Sequence, residues 1–291
     1  MSDTFSATVA ANLGREVELL CDDGSFCLCE LASDVGLPPV PGDRVAFCID
    51  GDKRYLTRLA ERRGVLRRAG RRVGEERILA AHVDLAIVVS AVKPALKEGL
   101  IDRYLVAVHH EGITPVVVLN KCDLDAGDHR TRMQVYTELG YSTHVVSAKD
   151  GTGMGALCGV LAGKTSVLVG HSGVGKSSLL MALVPEARTA TREVSAYSGK
   201  GVHTTTTARL YVGSGGVKII DSPGIRAFGL SGIDRTEVKG YFVEFEAHAP
   251  HCRFRDCLHI QDDGCAVRAA LDRGDIHRVR YESYCRIVDS L

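Results

Sequence analysis

The chain has 291 residues, enough for two or three domains. Its 36 Lys and Arg balance 36 Asp and Glu, which excludes a globally basic nucleic-acid binder but leaves room for a local basic patch. With 45% hydrophobic and 25% charged residues it reads as a folded soluble protein, and no apolar stretch approaches the roughly 20 residues that a membrane helix needs.

Met1 to Ala11 lacks the basic segment and apolar core of a secretory signal, so no membrane partner and a cytoplasmic location are the expectation. Residues 1–64 read as a small β domain. Glu16–Cys21 and Ser25–Leu31 are β-rich runs around the turn Asp22-Asp23-Gly24, and Pro41-Gly42-Asp43 turns into Arg44–Ile49. Such strands and turns suggest a barrel, either OB-like or another small type. A chain of this length needs no disulfide staples, so Cys21, Cys27, Cys29, Cys48, Cys122, Cys158 and Cys285 are expected as small buried hydrophobes. Cys27 and Cys29 share one face of a strand, but with no further donor beside them they make a poor metal candidate. From Lys53 to Arg77, ten basic residues face only Glu61, Glu75 and Glu76. This run is either a solvated face or a phosphate-backbone contact, with Arg62 to Arg77 as the salt-sensitive docking surface.

Residues 65–232 alternate strands and helices, which predicts an α/β domain. His82–Ala91 is a buried-strand pattern, Leu100–His110 has helical spacing, and Thr114–Leu119 is the next strand. That strand runs into Asn120-Lys121-Cys122-Asp123, the pattern of a guanine-recognition loop. A carboxylate at Asp123 can accept from both N1–H and the N2 amino group of guanine, donors that adenine lacks in that arrangement. Asn120 would tie the loop to its neighbours, and Lys121 would lay its aliphatic stem over the base. Thr143–Val146 leads to Ser147-Ala148-Lys149, which matches a second base-contact loop. Lys164–Val169 leads to Gly170-His171-Ser172-Gly173-Val174-Gly175-Lys176-Ser177-Ser178, a phosphate loop between a strand and a helix over Ser178–Leu183. There, backbone N–H groups and the helix N-terminus would cradle phosphate oxygens, Lys176 would reach the β- and γ-phosphates, and Ser177 would ligate Mg²⁺.

Val217–Ile220 ends at Asp221-Ser222-Pro223-Gly224, which reads as a γ-phosphate-sensing loop. Asp221 would hold Mg²⁺ through water and the Gly224 N–H would meet the γ-phosphate. Between the two loops, Thr205 is the expected switch ligand of Mg²⁺, with Thr204 a close second. The residue after Gly224 is Ile225, which cannot orient water by a hydrogen bond, so His203 is the candidate for that task. A low intrinsic rate, raised by a partner that orders this segment, is expected. An ordinary GTPase runs phosphate loop, γ-phosphate loop, guanine loop. Here the guanine loop comes first, which predicts a circularly permuted GTPase domain.

Residues 233–291 concentrate Cys and His. Cys252-x4-Cys257-x-His259-x5-Cys265 supplies three thiols and one imidazole, the ligand set of a closed structural zinc site, with His248 and His251 as alternative donors. With no open position, the expected role of the zinc is to nucleate a helical domain too small for an adequate core.

Together these motifs resemble the ribosome small-subunit-dependent GTPase A (RsgA) family of bacteria. The resemblance rests on the Pro-Gly-Asp-Arg turn, Ala-Ala-His-Val-Asp before the first α/β strand, the guanine loop, GHSGVGKSS, the GxHTTT segment, DSPGIRxFGL and C-x4-C-x-H-x5-C, and it covers essentially the whole chain. It implies a GTPase, expected as a monomer, that binds the small (30S) ribosomal subunit and its rRNA in late assembly and is stimulated by it. It also implies rRNA contact by the OB-fold and zinc domain, His203 as catalytic residue, Thr205 as switch threonine, and Cys252, Cys257, His259 and Cys265 as zinc ligands. Three other readings compete: an ATP-using phosphate-loop enzyme, an RNA-binding module with a vestigial nucleotide site, and a permuted GTPase acting on another RNA or particle. Asp123 argues against the first; Lys176, Ser177 and Asp221 argue against the second.

Overall fold

The computed structural model describes residues 4–32, 35–69, 76–124, 127–187, 208–222, 229–230 and 232–291. The chain divides into two units: 1–86 with 154–168 and 176–227, and 87–153 with 169–175 and 228–291.

The first unit holds β1 (Thr4–Asn12), β2 (Glu16–Cys21), β3 (Phe26–Leu31), β4 (Arg44–Asp50) and β5 (Lys53–Leu59), short runs between the turns read in the sequence. These pair in the order β1-β2-β3-β5-β4, and β4 returns to β1, with Thr4 opposite Cys48 and Thr8 opposite Arg44. The five strands thus close into an OB-like barrel, which leaves no open sheet edge among them. Ala7, Val9, Val17, Leu19, Cys29, Val45, Phe47 and Leu56 fill it. Cys27 and Cys29 both turn inward, and burial pushes their thiols up to about 11 and about 12. Of the seven cysteines expected as buried hydrophobes only Cys29 is fully buried; the other six are half-buried. β1 also pairs with β12 (Arg209–Val212), Ala11 opposite Arg209, and Arg209 meets Glu18 at 2.7 Å. β12 continues to β13 (Lys218–Asp221) and β11 (Thr165–Val169), the last two parallel. Helices α3 (Met154–Leu161) and α4 (Lys176–Leu183) complete the described part of this unit, with the hairpin β6 (Leu66–Ala69) and β7 (Glu76–Ala80).

The basic run from Lys53 to Arg77 is not one solvated face. Arg62 turns inward and grips the fully buried Asp43 through both carboxylate oxygens at 2.7 Å, while also donating to the Pro38 carbonyl at 2.8 Å. Lys53 pairs with Glu30 at 2.7 Å and Arg67 with Glu76 at 3.6 Å. Arg71 and Arg72 lie outside the described residues. Arg62 is therefore structural, and the expected docking surface loses its first member.

In the second unit β9 (Thr114–Asn120) lies between β8 (Leu85–Ala91) and β10 (Ser142–Val145), parallel to the latter. β8 is buried at every position, the pattern of a strand covered on both faces. α1 (Glu98–His110) and α2 (Gly127–Glu138) pack here, followed by short 3-10 turns, α5 (Ala266–Arg273) and the last helix, α6 (Arg278–Asp289). α1 and α6 are joined by a buried charge network. Arg280 of α6 donates to Asp102 at 2.6 Å and to Glu244 at 2.7 and 3.1 Å, with its guanidinium 4.5 Å from the Phe242 ring centre. Tyr136 of α2 donates to the same Asp102 at 2.9 Å. Arg280→Met would leave two carboxylates buried without their cation. The expected cost is about 3–5 kcal/mol, read as a lowered urea midpoint; an unchanged midpoint would show that the network contributes nothing net.

Candidate nucleotide site and metal centre

β9 ends at Asn120, and Asn120-Lys121-Cys122-Asp123 follows, its last two residues in a 3-10 turn over Cys122–Leu124. Asn120 is buried and works in two directions: its Nδ2 donates to the Val174 carbonyl at 2.9 Å, and its Oδ1 accepts from the Ala148 N–H at 3.2 Å. One side chain thus ties the predicted guanine loop to both the second base loop and the phosphate loop. Gly175 permits this approach, since a Cβ there would collide with Asn120 Nδ2. Lys121 adopts a left-handed φ of 62° and stretches to the carbonyls of Lys93 and Gly173 at 2.7 and 2.6 Å. Such a backbone conformation in a non-glycine residue persists where neighbours fix it, as these two bonds do.

Asp123 is held in place from the second loop. Ser147 Oγ donates to Asp123 Oδ1 at 2.9 Å, and Lys149 Nζ stands 3.6 Å from Oδ2. The Ser147 hydroxyl also accepts from the N–H groups of Lys149 and Asp150, both at 3.3 Å, shaping the second loop. Cys122 is half-buried and its N–H donates to Val146 at 3.1 Å, a backbone role. Sequence reasoning missed Thr152 and Gly153. The Thr152 carbonyl accepts from Ser147 N at 2.9 Å, and Gly153, with φ 71°, passes so close to the Val145 carbonyl that a Cβ would collide. The signal was the turn sequence Asp150-Gly151-Thr152-Gly153.

The phosphate loop follows β11 and opens α4, as its motif requires. Gly170, Gly173 and Gly175 have φ of 144°, 85° and 95°, and a Cβ at Gly170 would strike the Val89 carbonyl. Val174 is buried and anchors the loop, while Ser172 and Gly173 face solvent. His171 Nδ1 lies 2.7 Å from the Ser172 carbonyl. Lys176, Ser177 and Ser178 form the first turn of α4 and Ser177 is exposed; Asp221 is the last residue of β13. Ser177 hydroxyl and Asp221 carboxylate are hard oxygen donors, the kind Mg²⁺ takes alongside phosphate. His203, Thr204, Thr205 and Gly224 lie outside the described residues.

Cys252, Cys257, His259 and Cys265 bring one donor atom each to within 4.8 Å of one another. His248 and His251 are not part of the cluster. His259 Nδ1 is 3.5 Å from Cys252 Sγ and 3.4 Å from Cys265 Sγ. A tetrahedral ion with ordinary zinc–sulfur and zinc–nitrogen bonds puts such atoms about 3.6 Å apart, so the donors fit zinc. Each thiol also receives a backbone N–H: Ala266 to Cys252 at 3.3 Å, His259 to Cys257 at 3.4 Å, Arg268 to Cys265 at 3.4 Å. Two of these come from the first turn of α5, whose positive end favours thiolates. Burial lowers His259 below the usual imidazole range, keeping a ring nitrogen available as a donor. The His259 and Leu258 carbonyls accept from the hydroxyls of Tyr281 and Tyr284 at 2.7 and 2.5 Å, which fastens the cluster to α6.

A family model described as RsgA GTPase matches residues 59–231. A Chromohalobacter salexigens protein named "Small ribosomal subunit biogenesis GTPase RsgA" is 44% identical over 97% of this chain and 85% of its own length. A Pseudomonas aeruginosa protein of the same name is 43% identical over 97% of this chain and 84% of its own. Among solved structures, YjeQ from Thermotoga maritima matches with a TM-score of 0.82 and 31% identity over 99% of both chains. YloQ, described as a circularly permuted GTPase, matches in fold with a TM-score of 0.78, 24% identity, and coverage of 99% of this chain and 95% of its own.

Proposed function

The chain belongs to the RsgA GTPase family, and from that premise we propose that it hydrolyses GTP on the small ribosomal subunit late in its assembly, with the subunit raising turnover. The small-subunit part is supported by the names of relatives that match along nearly the whole chain. The guanine part is supported by one observation above all: the Asp123 carboxylate is pre-oriented by Ser147 and Lys149 in a loop that Asn120 joins to the phosphate loop.

In this reading Asp123 accepts from guanine while Asn120, Lys121, Cys122, Ser147, Ala148 and Lys149 shape the base pocket. The loop from Gly170 to Ser178 wraps the phosphates, with Lys176 on the β- and γ-phosphates and Gly224 beside the γ-phosphate. Ser177, Thr205 and Asp221 would hold Mg²⁺, which supplies neutralisation of phosphate charge. His203 orients the attacking water. Cys252, Cys257, His259 and Cys265 hold one structural zinc. The functional parts are residues 1–64, 65–232 and 233–291, in a monomeric cytoplasmic protein that touches rRNA.

Steady-state GTP hydrolysis with purified small subunits tests the reading, with large subunits and ATP as controls. Stimulation by small subunits alone, and no ATP turnover, is the expected result. Turnover unchanged by either subunit would remove the ribosomal assignment and leave a family GTPase with another activator.

A further inference from the structure

Between the first two thiols of the metal cluster lie Arg253, Phe254, Arg255 and Asp256, all four solvent-facing. Phe254 keeps 45% of its surface exposed. The turn is nonetheless fixed. Arg253 N–H donates to the Gly264 carbonyl at 3.1 Å, and Cys257 N–H to the Phe254 carbonyl at 3.4 Å. The Arg253 stem lies against Gly264, where a Cβ would come within 3.0 Å of Arg253 Cβ and 3.3 Å of its Cδ. Its guanidinium carbon sits 5.3 Å from the centre of the Phe254 ring. An aromatic ring is therefore displayed in water, with a cation on one side, on a backbone pinned by two metal-ligand positions.

We propose that Phe254 stacks on an unpaired base of ribosomal RNA while Arg253 and Arg255 meet the flanking phosphates. This rests on the small-subunit reading above and assigns it a contact. Stacking needs an open base face, which unpaired nucleotides offer and duplex RNA buries. A protein partner would need an apolar pocket with acidic groups on both sides; a single RNA strand repeats that alternation at every nucleotide. A backbone already fixed by these hydrogen bonds loses little freedom on binding.

The chain contains no Trp, so F254W places one indole at the contact. Binding of full-length, zinc-loaded protein to purified small subunits would be measured for wild type, F254A, F254W and R255Q. F254A is expected to weaken binding roughly 5- to 150-fold, the span found for losing one base–aromatic stack. F254W should bind like wild type and have its emission quenched by the subunit. R255Q should reduce the slope of log affinity against log salt by about 0.7. Zinc content and urea midpoint of F254A should match wild type, since the ring is half in water. F254A binding equal to wild type, where wild type binds, overturns the stacking alone. A blue shift of F254W without quenching marks a protein contact and also overturns it. Wild-type protein that fails to bind small subunits overturns the small-subunit reading, and the stacking with it.

Discussion

Replacing Asp123 by Asn is expected to weaken guanine-nucleotide binding by about 10²–10⁴-fold and to create affinity for xanthine nucleotides. The carboxylate offers two acceptors to the two donors on guanine. Each hydrogen bond to a charged group contributes about 1.5–3 kcal/mol, and the loss of both, at about 1.4 kcal/mol per decade, gives that range. Of the two groups beside the carboxylate, the hydrogen-bonded Ser147 outweighs the exposed Lys149 at 3.6 Å in setting which way the amide turns. Ser147 donates to Oδ1 at 2.9 Å, so an Asn keeps its oxygen on that side and presents its NH2 at the position of Oδ2. Xanthine carries a carbonyl where guanine carries the amino group and accepts from that NH2. Competition of GDP and xanthosine diphosphate against a fluorescent guanine nucleotide measures the exchange. Equal loss for both nucleotides would mean that Asp123 supports the loop without reading the base.

The second large effect is expected at Cys257. It is 2% exposed, and burial pushes its thiol up to about 12. Cys257→Ser replaces a soft ligand in a set with no spare donor: His248 and His251 do not join the described cluster. Structural zinc contributes about 10–16 kcal/mol of binding free energy in small zinc domains, as much as the whole net stability of about 5–15 kcal/mol that a domain holds. The variant should lose stoichiometric zinc after dialysis, and amide protection should fall from Cys252 through Tyr284, because Tyr281 and Tyr284 bond to backbone carbonyls of the cluster. Protection at β9 and β10 should persist. Full zinc retention in the variant would move the fourth ligand elsewhere.

The parts of the fold legible in the sequence were those whose physics is local. β8, β9 and β11 are continuous apolar runs, and the loops after β9 and β11 carry residue types that the chemistry of guanine and phosphate demands. The cluster of Cys252, Cys257, His259 and Cys265 was legible because three thiols and an imidazole fall within one short segment, the ligand set that suits zinc. Long-range partnerships were not legible. β1 reads as a featureless mix of Ala and Thr, yet it closes the barrel and pairs with β12 near residue 209. β5 was hidden inside the basic run, where Leu56 is its one fully buried side chain. Arg62 looked like a docking residue because its partner Asp43 lies 19 positions away. Arg280 had a signal that went unread: it shares an apolar helical stripe with Tyr284 and Ile287, and a cation on such a stripe announces a buried anion. The base loops showed their residues but not their joinery, since the bond from Asn120 to Val174 spans 54 positions.

The pairing of Asp102 with Arg280 across 178 positions also sets a timetable for synthesis. At roughly 5–20 residues per second, translation delivers Arg280 about 10–35 s after Asp102. The barrel strands from Thr4 to Leu59 are complete long before, and their pairings need nothing downstream except β12. α1, by contrast, carries a carboxylate whose buried position has no cation until the last helix is made. The second unit therefore completes this network only once α6 has been made, while the barrel has already had time to fold.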